Sequence, residues 1–152
     1  MNLLAIQKRI AASLTGYEAL GGAEVVVEDQ GDLDSRLRAA IGRTGCCILV
    51  QTPGFRVTSS ASKTMVGIAT VVVQAMESVP TGRAKCGRTA QDLAEAAAWR
   101  LNMLHVEGVG VLVAKEISSK MLDDDRTLAY AVRLEVQTTL ADPLDNGKEE
   151  AV

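Results

Sequence analysis

Aromatic side chains are nearly absent from this sequence: Tyr17, Phe55, Trp99 and Tyr130 make up 3% of its 152 residues. Single-stranded nucleic-acid binding relies on stacked rings, so that function is disfavoured. Histidine occurs once, as His105. A Cys–His catalytic pair would need it close to Cys86 or Cys46, which nothing in the spacing implies. Its place after an expected helix fits an imidazole meeting the last carbonyls. Cysteine occurs three times and never as C-x-x-C. Cys46 and Cys47 are neighbours on an expected strand and so point to opposite faces, which prevents them acting together as a dithiol. All three are expected to be buried, reduced and inert, with folding in the cytosol.

Long apolar runs are missing too. No stretch approaches the roughly 20 residues that span a bilayer. The N-terminal MNLLAIQKRIAASL is interrupted by Gln7, Lys8 and Arg9, unlike a signal peptide. The net charge of −3 provides no broad attraction to nucleic acid or to anionic lipid. There is no G-x-S-x-G, no H-E-x-x-H and no glycine-rich dinucleotide fingerprint. Asp123, Asp124 and Asp125 lack the glycine and distal glutamate of an EF-hand loop and read as a solvated hairpin tip. Glu28, Asp29, Asp32 and Asp34 gather at a helix start, where the dipole alone favours them. No catalytic residue, cofactor or metal site is expected, and the chain is not expected to be an enzyme.

What remains is a hydrophobic content of 47% against 23% charged residues, enough for one ordinary globular core. The chain is organised around Thr64 to Leu104. TMVGIATVVVQAMESV places Met65, Ala69, Val71 and Val73 on one period-two face and Val66, Ile68, Val72 and Met76 on the other. A strand apolar on both sides belongs in the centre of a sheet, covered on both sides. TAQDLAEAAAWRLNML repeats Leu93, Ala97, Leu101 and Leu104 at helical spacing and opens with a capping box, Thr89 and Asp92.

The other elements follow from the same periodicities. Leu3, Ile6, Ile10 and Leu14 form the stripe of a helix over 2–15. AEVVVE is a short strand. Asp32 caps a helix with Leu33, Leu37 and Ile41 on one face. CCILVQ is a strand expected to stop at Pro53-Gly54, and the small polar residues 54–63 read as a loop. VGVLVAKEISSKML and TLAYAVRLEVQTTL form an antiparallel hairpin, and an acidic, frayed tail over 141–152 follows the domain 1–140. The order α-β-α-β-β-α-β-β predicts an α+β domain with a mixed, mostly antiparallel sheet and helices packed on it.

Two features invite functional readings. Gly82 to Thr89 matches G-x-x-x-x-G-K-T except that Arg88 replaces the lysine, and the planar guanidinium is no conservative substitute at a phosphate site. The plain alternative is a basic turn containing glycines. Arg56 and Lys63 flank one polar loop, and Arg83, Lys85 and Arg88 crowd the other. If the loops meet they form a positive docking patch for an acidic partner or for DNA; otherwise they are scattered solubilising charges.

CCILVQTPGF, MVGIATVVVQAM, TAQDLAEAAAWRLNML and VGVLVAKEISSK…TLAYAVRLEVQTTL, in that order, resemble the tail terminator and tail completion proteins of long-tailed bacteriophages and prophages. The resemblance covers roughly residues 1–140 and rests on element order and length. It implies a structural, non-catalytic protein that assembles with itself as a ring, typically a hexamer, on the tail tube. Such a ring ends tube polymerisation and presents a surface to the head. It further implies a tube protein and a head-completion protein as partners, DNA passing through the lumen, no membrane, and assembly in the host cytoplasm before incorporation in the tail. By this analogy loops 52–63 and 80–88, with Arg56, Lys63, Arg83, Lys85 and Arg88, are the candidate assembly interface. A head–tail connector is the nearest alternative, and nucleotide binding through Gly82 to Thr89 a more distant one.

Overall fold

The computed structural model describes residues 2–28, 32–78, 88–120 and 127–141. Three helices pack on a six-stranded mixed sheet, an α+β fold. In chain order the elements are α1 (Leu3–Leu14), a 3-10 turn (Glu18–Leu20), β1 (Glu24–Val27), α2 (Leu33–Thr44), β2 (Cys46–Ala61) and β3 (Thr64–Ser78). They continue with α3 (Ala90–Leu101), β4 (His105–Val106), β5 (Gly110–Lys120) and β6 (Thr127–Ala141). The sheet order is β1-β2-β3-β6-β5-β4, in which only the β1–β2 pair is parallel. The long apolar strand β3 is therefore central, flanked by β2 and β6.

The helices start where their caps predict. The Asp32 carboxylate accepts from Ser35 N at 3.2 Å and from Ser35 Oγ at 2.7 Å, and these bonds hold its carboxyl below the usual range. Thr89 Oγ1 accepts from Asp92 N at 3.1 Å while the Asp92 carboxylate accepts from Thr89 N, closing the capping box. Asn2 caps α1 through Ala5 N at 2.8 Å. α3 ends at Leu101, before Leu104, and Met103 then takes a left-handed conformation, φ 62°. His105 belongs to the short edge strand β4, opposite Val111, rather than to the helix end.

Alternation along β3 divides the core in two. On one face Ile6, Ile10 and Leu14 of α1 and Leu93, Ala97 and Leu101 of α3 pack on Ile48, Val71, Val73, Val132 and Leu134. On the other, Leu33, Leu37 and Ile41 of α2 pack on Val26, Cys47, Leu49, Met76 and Ala129. This second cover stops early. Val66, Ile68 and Val72 remain only partly buried, so β3 is covered along one face and at one end of the other. Arg100 ties α3 to α1: its Nε donates to the Ser13 carbonyl at 3.1 Å and its guanidinium lies 5.2 Å from the Tyr17 ring centre.

Three expectations are corrected. Residues 54–61 are strand, not loop, and the turn between β2 and β3 is confined to Ser62 and Lys63. Pro53-Gly54 does not end β2 but lies in a register shift between Gln51 and Gly54. A bulge is where a strand tolerates a residue without an N–H. Cys46 is not a reduced thiol: it is disulfide-bonded. Spacing in the sequence carries no information on which sulfurs come within bonding distance. The frayed tail beyond Ala141 and the Asp123–Asp125 tip also lie outside the described residues.

Cys47 is free and buried on the α2 face. Burial, reinforced by the Glu24 carboxylate, pushes its thiol up from 9.0 to about 12. The folded state thus retains a proton that the unfolded chain releases near pH 9. Its contribution to stability is full below pH 9 and is lost as pH rises toward 12. In urea titrations Cys47→Ala should show a shallower stability loss than the parent over this window. Iodoacetamide at pH 8 should modify Cys47 only in denaturant.

Candidate assembly surfaces

The distal parts of β2, β3 and β6 form a three-stranded arm that is packed against the core at its base and exposed from Arg56 to Met65. Its strands are residues 55–61, 64–69 and 136–141, paired from Ala61↔Thr64 and Thr64↔Ala141 inward. Seven residues of extended chain reach about 23 Å. The arm is built from Val, Thr and Ser and carries no acidic side chain between residues 52 and 70 or 136 and 141. Its two cations in that range are Arg56 and Lys63, both exposed.

A buried amide fixes where the arm leaves the body. Gln7 of α1 donates from Nε2 to the Glu28 carbonyl at 2.6 Å. Its Oε1 accepts from Thr52 N at 2.8 Å and Thr52 Oγ1 at 2.7 Å. Gln51 donates from Nε2 to the Glu28 carboxylate at 2.5 Å, and its Oε1 accepts from Gln74 Nε2 at 2.8 Å. Gln7 thus satisfies the β2 backbone just past the last β1 pairing, Val27↔Val50, and immediately before the Pro53 bulge. Farther out, Gly67 lies under the Phe55 ring. A Cβ there would come within 2.2 Å of the Arg56 carbonyl oxygen and 2.9 Å of Phe55 Cζ, so only hydrogen fits.

Besides the short edge strands β1 and β4, two longer stretches lack a strand partner among the described residues. One is the outer edge of β2 from Pro53 to Ala61, since β1 pairs only with Cys47–Val50. The other is the outer edge of β5 from Glu116 to Lys120, since β4 reaches only Gly110 and Val111. Nearer β4, the β5 edge is satisfied: Leu112 exchanges bonds with Met103 and Leu104, and Ala114 N donates to Asn102 Oδ1 at 3.0 Å. Open edges of this kind are ready acceptors for another strand.

Beside the β5 edge, α3 and the sheet enclose a groove of about 510 Å³ lined by Glu95, Ala98, Trp99, Ala114, Ile117 and Tyr130. Its rim is apolar and wet: Trp99 is 74% exposed and Ile117 47%. A second concavity of about 620 Å³ lies on the face that carries α2, beyond the end of that helix's cover, over Val66, Ile68, Val111 and Val113. On that same face Arg133 stands 3.8 Å from both Glu116 and Glu135, half-exposed pairs that contribute little to stability.

Of the five basic candidates, Arg56 lies on β2, Lys63 in the turn at the arm tip and Arg88 just before α3. Arg83 and Lys85 lie outside the described residues. Ala90 N donates to Glu77 Oε1, which places the α3 start at the opposite end of β3 from Lys63, roughly 40 Å along the strand. One subunit therefore does not unite Lys63 and Arg88 in a single patch. The strand that would precede a phosphate loop, β3, has antiparallel neighbours on both sides, and the Thr89 hydroxyl is occupied by the helix cap. The groove escapes a search for charged loops. Its one sequence signal is Trp99, the single tryptophan, which falls off the Leu93–Ala97–Leu101 stripe. Among the described residues no helix is long and apolar enough to cross a membrane.

The sequence matches no protein-family model and no curated protein. The fold is similar to that of a chain in a solved structure described as the virion of a native gene transfer agent particle. The TM-score is 0.56 at 12% identity, over 92% of this chain and 100% of that one.

Two outcomes follow for the arm. Gln7→Ala strands the half-buried Thr52 N–H and should lower stability by about 1–3 kcal/mol. It should also speed tryptic cleavage after Arg56 and Lys63, read by mass spectrometry. Gly67→Ala forces the arm strands apart at a cost of about 1–3 kcal/mol in urea unfolding.

Proposed function

We propose that the chain is a structural component of a phage-like virion that closes the tail tube as a ring, ends tube polymerisation and prepares the tail for head joining. The observation that carries this reading is the extent of the structural likeness. All of the neighbouring virion chain is matched by 92% of this one, so the likeness concerns a whole protein rather than a shared motif. The element order that resembles tail terminators supports the same reading from the sequence side.

The surfaces are in keeping with it. A subunit with one open edge on β2 and a different open edge on β5 is suited to heterologous contacts, which close into rings when the rotation between neighbours permits. On this reading the protein is not an enzyme and needs no cofactor. Its partners are further copies of itself, the tube protein and a head-completion protein, with DNA crossing the lumen. It works in the host cytoplasm and then in the tail. Arg56, Lys63, Arg83, Lys85 and Arg88 are its candidate interface cations; ends of β3 that are far apart in one subunit can meet between neighbours.

The test is to add the purified protein to tube protein during polymerisation and image the products by negative-stain microscopy. Arrested tubes carrying an annulus at one end are expected. Tubes that lengthen as they do without it would overturn the capping role. Attachment to the head vertex instead would assign it to the connector.

A further inference from the structure

We infer that the apolar tip of the arm of one copy docks in the α3–β5 groove of the next, head to tail. This rests on self-assembly as proposed above and specifies its contact surfaces. The arm presents Val57, 47% exposed, and Met65, 42% exposed. Both lie on the face that carries α1 and α3, because Val57 pairs with Gly67, two residues from Met65. Leu140, opposite Met65 on β6, is partly buried against the core and backs this tip from the same face. The groove offers the complementary shape: Trp99 and Ile117 at its rim, with Tyr130 among its lining.

Charge agrees with shape. The hairpin half of the arm carries Arg56 and Lys63 and no carboxylate. The groove is lined by the Glu95 carboxylate and by no cation. Backbone chemistry agrees as well, since the arm ends in an open β2 edge and the groove runs beside the open β5 edge. Strand addition between them would satisfy both. An exposed Trp beside a concave site is of the type enriched among the residues that dominate contact energies at interfaces.

The arm cannot fill its own groove. Leu140 at the tip and Tyr130 at the groove lie on the same strand ten residues apart, roughly 33 Å. In the head-to-tail arrangement the tip and the groove of each copy engage different neighbours, so contacts propagate rather than close in a pair.

The test uses two exposed substitutions, Met65→Asp at the tip and Trp99→Lys in the groove, each checked for native circular dichroism. Sedimentation equilibrium of the wild type should show concentration-dependent assembly beyond a dimer. Each variant alone should associate at least about tenfold more weakly. Their equimolar mixture should form a dimer and nothing larger, because one intact tip and one intact groove remain. A wild type that is monomeric to its solubility limit, variants that assemble like the wild type, or a mixture that fails to dimerise would each overturn the inference. The tube assay separates this from the parent proposal. Variants that still cap tubes as annuli would sink the docking mode alone. A dimerising mixture with no effect of the wild type on tubes would sink the capping role alone.

Discussion

The antiparallel ladder between β3 and β6 is the constraint on which the other elements depend. Every residue of β3, from Thr64 to Ser78, has a β6 partner in a single register without a bulge. That register assigns Val71, Val73, Val132 and Leu134 to the face of α1 and α3, and Met76 and Ala129 to the face of α2. Slipping it by one residue would exchange the two apolar sets. The helices have no independent reason to stay: their stripes are of ordinary length, and most of their stability comes from burial against this ladder.

On the β2 side the pairing is interrupted twice, at Gln51/Gly54 and at Val57/Ser59. The first interruption coincides with the end of the body, where Gln7 and Thr52 replace the strand partner that β1 no longer supplies. A core side chain therefore sets the point at which the arm departs, and the arm inherits its direction from packing inside the domain. This is how an exposed ribbon can serve as a defined contact rather than a loose tether.

The parts legible in the sequence are those governed by local rules. Helix periodicity and the caps at Asp32 and Thr89 placed α2 and α3, and the two-sided apolarity of residues 65–76 placed β3 in the middle. The arm was not legible, because a strand exposed on both faces shows no alternation. Thr58, Ser59 and Ser60 look like loop residues until their β3 partners supply the hydrogen bonds. The Cys46 disulfide depends on proximity in space. The groove was hidden for a related reason: Trp99, Ile117 and Tyr130 come from three elements, and only the β5–β6 register and the α3 packing bring them together. The basic residues show the converse, since Lys63 and Arg88, grouped by type, are held far apart by the length of β3.

The contrast between the unbroken and the bulged ladder bears on how this chain can change in length. One residue inserted between Val66 and Val73 would turn part of β3 inside out and move its side chains to the wrong layer. In β2 an added residue can be taken up by a bulge that already exists, and at Ser62-Lys63 it merely widens a turn. Divergent forms of this fold should accordingly keep β3 and β6 at matched lengths and accept only substitutions there. Their insertions should gather at the arm tip, so that the surface that meets other molecules can be remodelled without disturbing the layers beneath it.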